Sequence, residues 1–225
     1  MYIIAVDTSN NICTVALNKN NENIDLLVEN TPSKQAEKLL SMIEEIMERN
    51  NLIYNDISLF STSIGPGSFT GVRIGISAIK GIELTTNKET SGVSNLQALA
   101  WRGSNGSNKL EIISCMNAMR NQLFVQAFKM ESNIPIANSK AELIFIDDLK
   151  DYLGNHDGNN KYISLNCREL IPLDIIENHE CSSDIITNAK DIANLSSILH
   201  SSNIGTKVSP LYIRPPDAKK ANAKK

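Results

Sequence analysis

Three polar residues that directly follow the first apolar run could bind a phosphate or Mg²⁺. The run 2–7 ends in Asp7, and Thr8 and Ser9 come next, before a second strand-like segment. A carboxylate is a ligand for hard cations, and hydroxyl and N–H groups donate hydrogen bonds to phosphate oxygens. The competing interpretation is that Asp7 and Ser9 hydrogen-bond the backbone of a hairpin turn, as Asx and Ser residues commonly do.

A glycine-rich segment is the second candidate. It joins the apolar run 57–64 to a helical stretch, which predicts a strand, a tight turn and a helix start capped by Ser68 or Thr70. An exposed helix start can bind an anion. The segment lacks the Gly-Lys-Ser/Thr of a Walker A loop, and Thr70 occupies the third glycine position of a dinucleotide fingerprint. The favoured interpretation is a structural turn that lets the helix pack tightly on a sheet.

The motif comprises Gly65, Pro66, Gly67, Ser68, Phe69, Thr70, Gly71, Arg73 and Gly75. Gly67 is expected to need glycine for its φ angle, and Gly71 for close helix approach.

Other chemistry-bearing residues are scattered. The three histidines, His156, His179 and His200, form no short-spaced pair, so neither a metal site nor a cofactor is predicted. The cysteines show no CxxC spacing, which favours buried, reduced thiols over disulfides or zinc ligands; they are Cys13, Cys115, Cys167 and Cys181.

The composition is that of an ordinary globular protein. Of its residues, 41% are hydrophobic and 21% are charged. The length of 225 residues is enough for one large domain or two small ones. The net charge of −3 provides no general attraction to nucleic acid. Neither a signal-peptide pattern nor a membrane-length apolar run is evident, so we expect a cytoplasmic protein without membrane association.

Hydrophobic periodicity predicts alternating strands and helices. Strands are expected at 2–7, 12–18, 22–29 and 57–64, and helices from the Thr31-Pro-Ser33 start signal, over 68–84 and over 96–102. Further strands are expected at 110–116, 122–130 and 162–166, with helices near 147–153 and 189–200. The polar segment 103–108 predicts a boundary between an N-terminal lobe, 1–103, and a C-terminal lobe, 108–214; residues 154–160 form a second loop, and 215–225 a disordered tail.

The two halves resemble each other. An apolar strand, an Asx-containing turn and a second strand occur at residues 4–16 and again at 114–126, which indicates two duplicated lobes. The second turn carries Asn117 where a second carboxylate would be needed. Since an amide cannot act as a base and binds a hard cation more weakly, nucleotide hydrolysis by this chain is disfavoured.

Three motifs together resemble the bacterial TsaB (YeaZ) family. They are Ile3-Ile-Ala-Val-Asp-Thr-Ser9, the glycine-rich motif, and Pro210-Leu-Tyr-Ile-Arg214, in this order over nearly the whole chain. The resemblance implies an α/β fold of the actin-like ATPase class (ASKHA, ribonuclease H-like), with a mixed sheet and helices in each of two related lobes. The chain departs from the family at Asn117, where members mostly have Asp.

The resemblance also implies a function. It predicts a non-catalytic subunit that pairs with a TsaD-type paralogue, and at least transiently with a TsaE-type ATPase, and that forms homodimers when alone. The complex would transfer a threonylcarbamoyl group to the tRNA adenosine next to the anticodon, so the chain would meet tRNA only indirectly. Asp7, Thr8 and Ser9 would then be a vestigial phosphate site. The alternative is an independent nucleotidase or small-molecule kinase of the same fold.

The two early helices are the predicted partner surface. Helix 68–84 has more apolar side chains than one face can hold, which is typical of a helix that is buried on two sides, either within one lobe or against a partner. The resemblance favours the partner, and Met42, outside the main stripe of the first helix, suits an adaptable, exposed contact. The predicted interface consists of Leu39, Met42, Ile43, Val72, Ile76 and Ile79.

Overall fold

The computed structural model describes residues 1–31, 34–104, 111–156 and 161–214. Its strands are β1 (Tyr2–Asp7), β2 (Cys13–Lys19), β3 (Glu22–Glu29), β4 (Ile57–Ser63), β5 (Glu89–Val93), β6 (Glu111–Asn117), β7 (Gln122–Glu131), β8 (Ile134–Ala137), β9 (Glu142–Phe145), β10 (Lys161–Leu165) and β11 (Glu180–Asp184). Its α-helices are α1 (Gln35–Arg49), α2 (Phe69–Thr86), α3 (Asn95–Ser104), α4 (Leu149–Gly154), α5 (Leu173–Asn178) and α6 (Ala189–Ser201).

The strands form two mixed sheets with the same topology. The first sheet has the order β3-β2-β1-β4-β5, in which the β1–β2 hairpin is antiparallel and β4 and β5 are parallel to β1. The second has the order β11-β10-β6-β7-β8, with β9 also paired to β7, and here the β6–β7 hairpin is antiparallel while β10 and β11 are parallel to β6. The repeated hairpin and parallel strands confirm the predicted α/β fold with two related, mixed sheets.

Each sheet is covered by helices on both faces. On the first sheet, α1 and α2 bury one apolar face and α6 buries the other. On the second sheet, α4 and α5 cover one face and α3 the other. Because both faces of the first sheet are covered, β1 is buried on both sides, which explains its continuous apolar run from Ile3 to Val6.

Two helices pack on the sheet of the opposite half of the chain. Helix α3 follows β5 but lies on the second sheet, and α6 follows β11 but lies on the first. Arg102 of α3 joins them, because its Nη1 donates to both carboxylate oxygens of Asp191 in α6 at 2.8 Å. The predicted boundary between two lobes at 103–108 therefore stays a prediction. A division of the chain at that point would separate α3 from the second sheet and α6 from the first sheet, which are the sheets that these helices cover.

Most predicted elements are present within one or two residues of the expected bounds. Hydrophobic periodicity did not predict the strands β5, β8, β9 and β11 or the helix α5, all of which are short. Residues 32–33 of the predicted helix start, 105–108 of the linker, 157–160 of the second loop and the tail 215–225 lie outside the described residues. No helix in the described ranges combines the length and the apolar character needed to cross a membrane.

Candidate functional site

The carboxylate of Asp7 is turned into the protein. Asp7 ends β1 and is only 2% exposed. Its Oδ1 accepts hydrogen bonds from the Ser9 amide at 2.9 Å, the Ser9 hydroxyl at 2.6 Å and the Ser63 hydroxyl at 2.5 Å. Burial raises the pKa of Asp7, and these hydrogen bonds oppose the rise only in part. This arrangement is the Asx turn of a hairpin, with its oxygen already satisfied by the chain.

The glycine-rich motif forms the expected turn at the end of β4. Gly65 has φ +96°, a backbone conformation that favours glycine, and the following Gly65–Pro66 peptide bond is cis. The Ser68 hydroxyl caps α2 by accepting a hydrogen bond from the Gly71 amide at 3.2 Å. The expectation that Gly67 needs a positive φ is wrong, because among the described glycines only Gly65 has one.

Close approach explains the other glycines of the motif. A Cβ on Gly67 would lie 2.6 Å from the Ser9 carbonyl oxygen, and one on Gly75 would lie 2.6 Å from Thr62 Oγ1. The Ser68 amide donates to the Ser9 carbonyl at 2.7 Å, and the Thr8 hydroxyl donates to the Gly71 carbonyl at 2.7 Å. The start of α2 is thus packed directly on the β1–β2 turn, as the structural interpretation predicts, and the Ser68 amide and hydroxyl are both hydrogen-bonded within the chain.

Asn95 completes this cluster and was missed in the sequence. It begins α3 and is fully buried. Its Nδ2 donates to the Ser9 hydroxyl at 2.7 Å and to the Pro66 carbonyl at 2.8 Å, while its amide donates to the Gly65 carbonyl at 2.9 Å. The only sequence signal is an Asn after an apolar segment and before a helix, which predicts a local cap rather than a contact with residues 29 and 86 positions away.

The equivalent turn of the second sheet is open and carries no carboxylate. Asn117 ends β6 and is exposed. Its side-chain Oδ1 accepts a hydrogen bond from the Met119 backbone amide at 2.7 Å, and its backbone amide donates one to Asn166 Oδ1 at 3.0 Å. It therefore acts as a turn residue. The two turns do not offer the pair of carboxylates that phosphate chemistry with Mg²⁺ would need.

Comparisons with known proteins agree with the motifs. The family model described as TsaD, tRNA N6-adenosine threonylcarbamoyltransferase, matches residues 29–141. The TsaB protein of Escherichia coli is 31% identical over 136 residues, 59% of this chain and 57% of that protein. TsaB of Buchnera aphidicola subsp. Schizaphis graminum is 30% identical over 150 residues, 66% of this chain and 71% of that protein. The chain belongs to the TsaB family.

Solved structures support the same fold. YeaZ from Pseudomonas aeruginosa superposes with a TM-score of 0.77 at 19% identity and covers 94% of this chain and 99% of its own. The ethanolamine utilization protein EutJ from Carboxydothermus hydrogenoformans superposes with a TM-score of 0.50 at 10% identity, covering 87% of this chain and 90% of its own. At these identities the likeness concerns the fold alone.

In this TsaB-family chain, the C-terminal segment connects the two turns. We call residues 205–214 the C-terminal strap. Its Leu211 amide donates to the Ile64 carbonyl at 2.8 Å, beside the glycine-rich motif. At its end, Arg214 Nη2 donates to the Ala118 carbonyl and to Gln122 Oε1, both at 2.8 Å, at the β6–β7 turn. The strap thus ties the motif on the first sheet to the turn of the second.

The six predicted interface residues are not available to a partner. All of them are buried in the core that α1 and α2 form with the first sheet, and Met42 is only 6% exposed. The expectation that Met42 is an exposed contact is therefore wrong. The periodic apolar stripe belongs to the sheet-facing side of each helix, and the outward side carries other residues. The six buried residues are Leu39, Met42, Ile43, Val72, Ile76 and Ile79.

The cysteines and histidines do not assemble into a site in the described part of the chain. Within the described ranges there is no group of three or more His, Cys, Asp or Glu side chains placed to hold a metal ion. Burial raises the pKa of the Cys13 and Cys167 thiols to about 12 and that of Cys115 well above its ordinary value, which keeps them un-ionised. His156 lies near Glu111 of the second sheet, and His200 lies near Glu89 of the first sheet, so the two histidines belong to separate pairs.

Proposed function

We propose that this TsaB-family chain is a non-catalytic subunit that supports threonylcarbamoyl transfer to tRNA. Its relatives are named as tRNA threonylcarbamoyladenosine biosynthesis proteins, and a transferase family model matches half of its length. The observation that supports the non-catalytic role is the lack of a pair of carboxylates: Asp7 is buried with its Oδ1 bonded to Ser9 and Ser63, and the equivalent position of the second sheet is Asn117. On this proposal, Asp7, Thr8 and Ser9 are the remnant of a phosphate site and no longer bind phosphate.

The proposed partner is a TsaD-type paralogue, joined at least transiently by a TsaE-type ATPase, in the cytoplasm. The contact surface is the outward side of α2. Five exposed residues follow one face of this helix, because they are spaced four, four, three and four positions apart. They are Phe69, Arg73, Ser77, Lys80 and Leu84. We call these five residues the α2 stripe.

The α2 stripe has the properties of a helix-packing surface. Leu84 is 82% exposed, and Leu40 on the neighbouring α1 is also exposed. Ser77 and Gly81 near the middle are small, and a Cβ on Gly81 would meet nothing within 4 Å, so another helix can approach closely there. Exposed apolar side chains beside small residues favour burial against a protein, and without the partner they favour self-association.

Co-purification and a tRNA modification assay test the proposal. The chain is expected to pair with the TsaD-type paralogue of the same organism and to raise the yield of modified tRNA when it is added. Leu84→Glu should abolish pairing and this stimulation, because it buries a charge in the contact. Leu173→Glu is the matched control, since Leu173 is 74% exposed on α5 of the other sheet and should be neutral.

Two results would contradict the proposal. Equal pairing of the wild type and Leu84→Glu would remove the α2 stripe as the contact surface. ATP turnover by the purified chain alone, with no effect on tRNA modification, would favour the nucleotidase or kinase alternative.

A further inference from the structure

An exposed arginine of the α2 stripe is held in a fixed orientation by two aromatic residues. The Arg73 guanidinium carbon lies 3.6 Å from the ring centroid of Phe69. Its Nε donates a hydrogen bond to the Tyr212 hydroxyl at 2.8 Å, and the Phe69 and Tyr212 rings are 5.7 Å apart. Stacking on one ring and a hydrogen bond to the other restrict a side chain that is normally flexible.

The rest of this guanidinium has no partner within the part of the chain that the structure describes. Among the described residues, neither Nη nitrogen of Arg73 donates a hydrogen bond, and no carboxylate lies within ion-pair distance. A planar guanidinium with a fixed plane and free Nη donors is suited to a bidentate contact with an oxyanion. Holding it in place before binding reduces the entropy that is lost on association.

The C-terminal strap sets this orientation. Tyr212 lies between the strap's two attachments, Leu211 on the Ile64 carbonyl and Arg214 on the β6–β7 turn. The position of the Tyr212 hydroxyl, and through it the plane of Arg73, therefore depends on a segment that is fixed to both sheets. Tyr212 is a positioning residue in this arrangement.

We propose that Arg73, oriented by Phe69 and Tyr212, recognises a carboxylate on the partner protein. This inference rests on the proposed pairing through the α2 stripe and names the chemistry that the partner must present there. A protein carboxylate is favoured over a nucleic-acid phosphate for an electrostatic reason. The neighbouring helix α1 exposes the cations Lys38 and Arg49 but also four glutamates, so its surface is net negative and repels a polyanion more strongly than one acidic side chain. The glutamates are Glu37, Glu44, Glu45 and Glu48.

The affinity of the full-length chain for the purified TsaD-type paralogue, measured at several salt concentrations, tests the inference. Arg73→Ala should weaken binding by about tenfold or more and flatten its salt dependence. Arg73→Lys keeps the charge but loses the planar guanidinium and its paired N–H donors, so it should also weaken binding by about tenfold. Tyr212→Phe keeps the ring and removes only the acceptor, and about a threefold loss is expected.

Controls separate recognition from folding and long-range charge. Lys150→Ala removes an exposed positive charge on α4, whose ammonium lies 3.6 Å from Asp174, and should leave affinity and salt dependence unchanged. Thermal unfolding of the Arg73 and Tyr212 variants should match the wild type, because their side chains are exposed.

Three outcomes would overturn the inference. Wild-type affinity in both Arg73 variants would remove Arg73 from recognition while leaving the pairing proposal intact. Loss of tRNA binding by the isolated Arg73→Ala chain, with pairing unchanged, would identify a nucleic-acid phosphate as the ligand. Failure of the wild type to associate with the paralogue at all would remove the proposed pairing and this inference together.

Discussion

The carbonyl oxygen of Thr8 lies 1.9 Å from the point that a Cβ atom on Gly71 would occupy. No side chain fits at this distance, so either the β1–β2 turn or the start of α2 must move when residue 71 is larger than glycine. This contact explains why the motif needs a glycine inside a helix, where glycine is otherwise unfavourable.

Gly71→Ala should therefore lower the free energy of unfolding by about 1–3 kcal/mol through overpacking. Gly81→Ala is the matched control in the same helix, because a Cβ there meets nothing within 4 Å. The control should raise the free energy of unfolding by about 0.5–1 kcal/mol, since alanine is the better helix former. Urea denaturation of both variants measures the difference. Equal stability of the two would show that close packing is not what requires Gly71.

Asn95→Ala should destabilise the chain by about 1–3 kcal/mol, because it leaves the buried Pro66 carbonyl without its side-chain donor and removes the donor to Ser9. Asn55→Ala provides a control at an exposed position, for which a change within about 0.5 kcal/mol is expected. Denaturation of the two variants by urea is the measurement. A neutral Asn95→Ala would mean that the cluster around Ser9 is held by backbone contacts alone.

Local signals in the sequence were sufficient for much of the fold. The apolar run before Asp7, the start of α2 at Ser68 and the Asx turn at Asn117 each depend on neighbours within a few residues, and the structure has them where expected. The matching hairpins could also be aligned from sequence, because both consist of an apolar strand, a polar turn and a second strand.

Contacts between distant segments could not be predicted in this way. The interface prediction failed at Met42 because periodicity identifies the apolar side of a helix but not what covers it. Asn95 was missed because its partners lie in other elements. The orientation of Arg73 depends on Tyr212, 139 residues further along the chain, and no local pattern reports such a contact.

The isolated chain should give no heat of binding with Mg-ATP in a calorimetric titration. The Asp7 carboxylate is buried and its Oδ1 already accepts hydrogen bonds from Ser9 and Ser63, and the amide of Asn117 is a weaker ligand for Mg²⁺ than a carboxylate. A micromolar affinity that Asp7→Asn abolishes would instead support the nucleotidase or kinase alternative. This variant is preferred to Asp7→Ala because it keeps the side-chain volume and an acceptor.

The raised pKa of Asp7 predicts a pH-dependent difference in stability between the wild type and Asp7→Asn. Burial makes the folded protein hold this proton at pH values above 3.8, the ordinary pKa, where the unfolded chain has already lost it. The contribution of Asp7 to stability is therefore fully present below pH 3.8 and is lost as the pH rises through the folded-state pKa. Asparagine does not ionise, so the stability of Asp7→Asn relative to the wild type should be greater at pH 7 than at pH 4. Urea denaturation at the two pH values measures this difference, and any pH-independent effect of the substitution cancels in the comparison. A relative stability that instead falls between pH 4 and pH 7 would mean that hydrogen bonds from Ser9 and Ser63 outweigh burial and lower the pKa of this carboxyl.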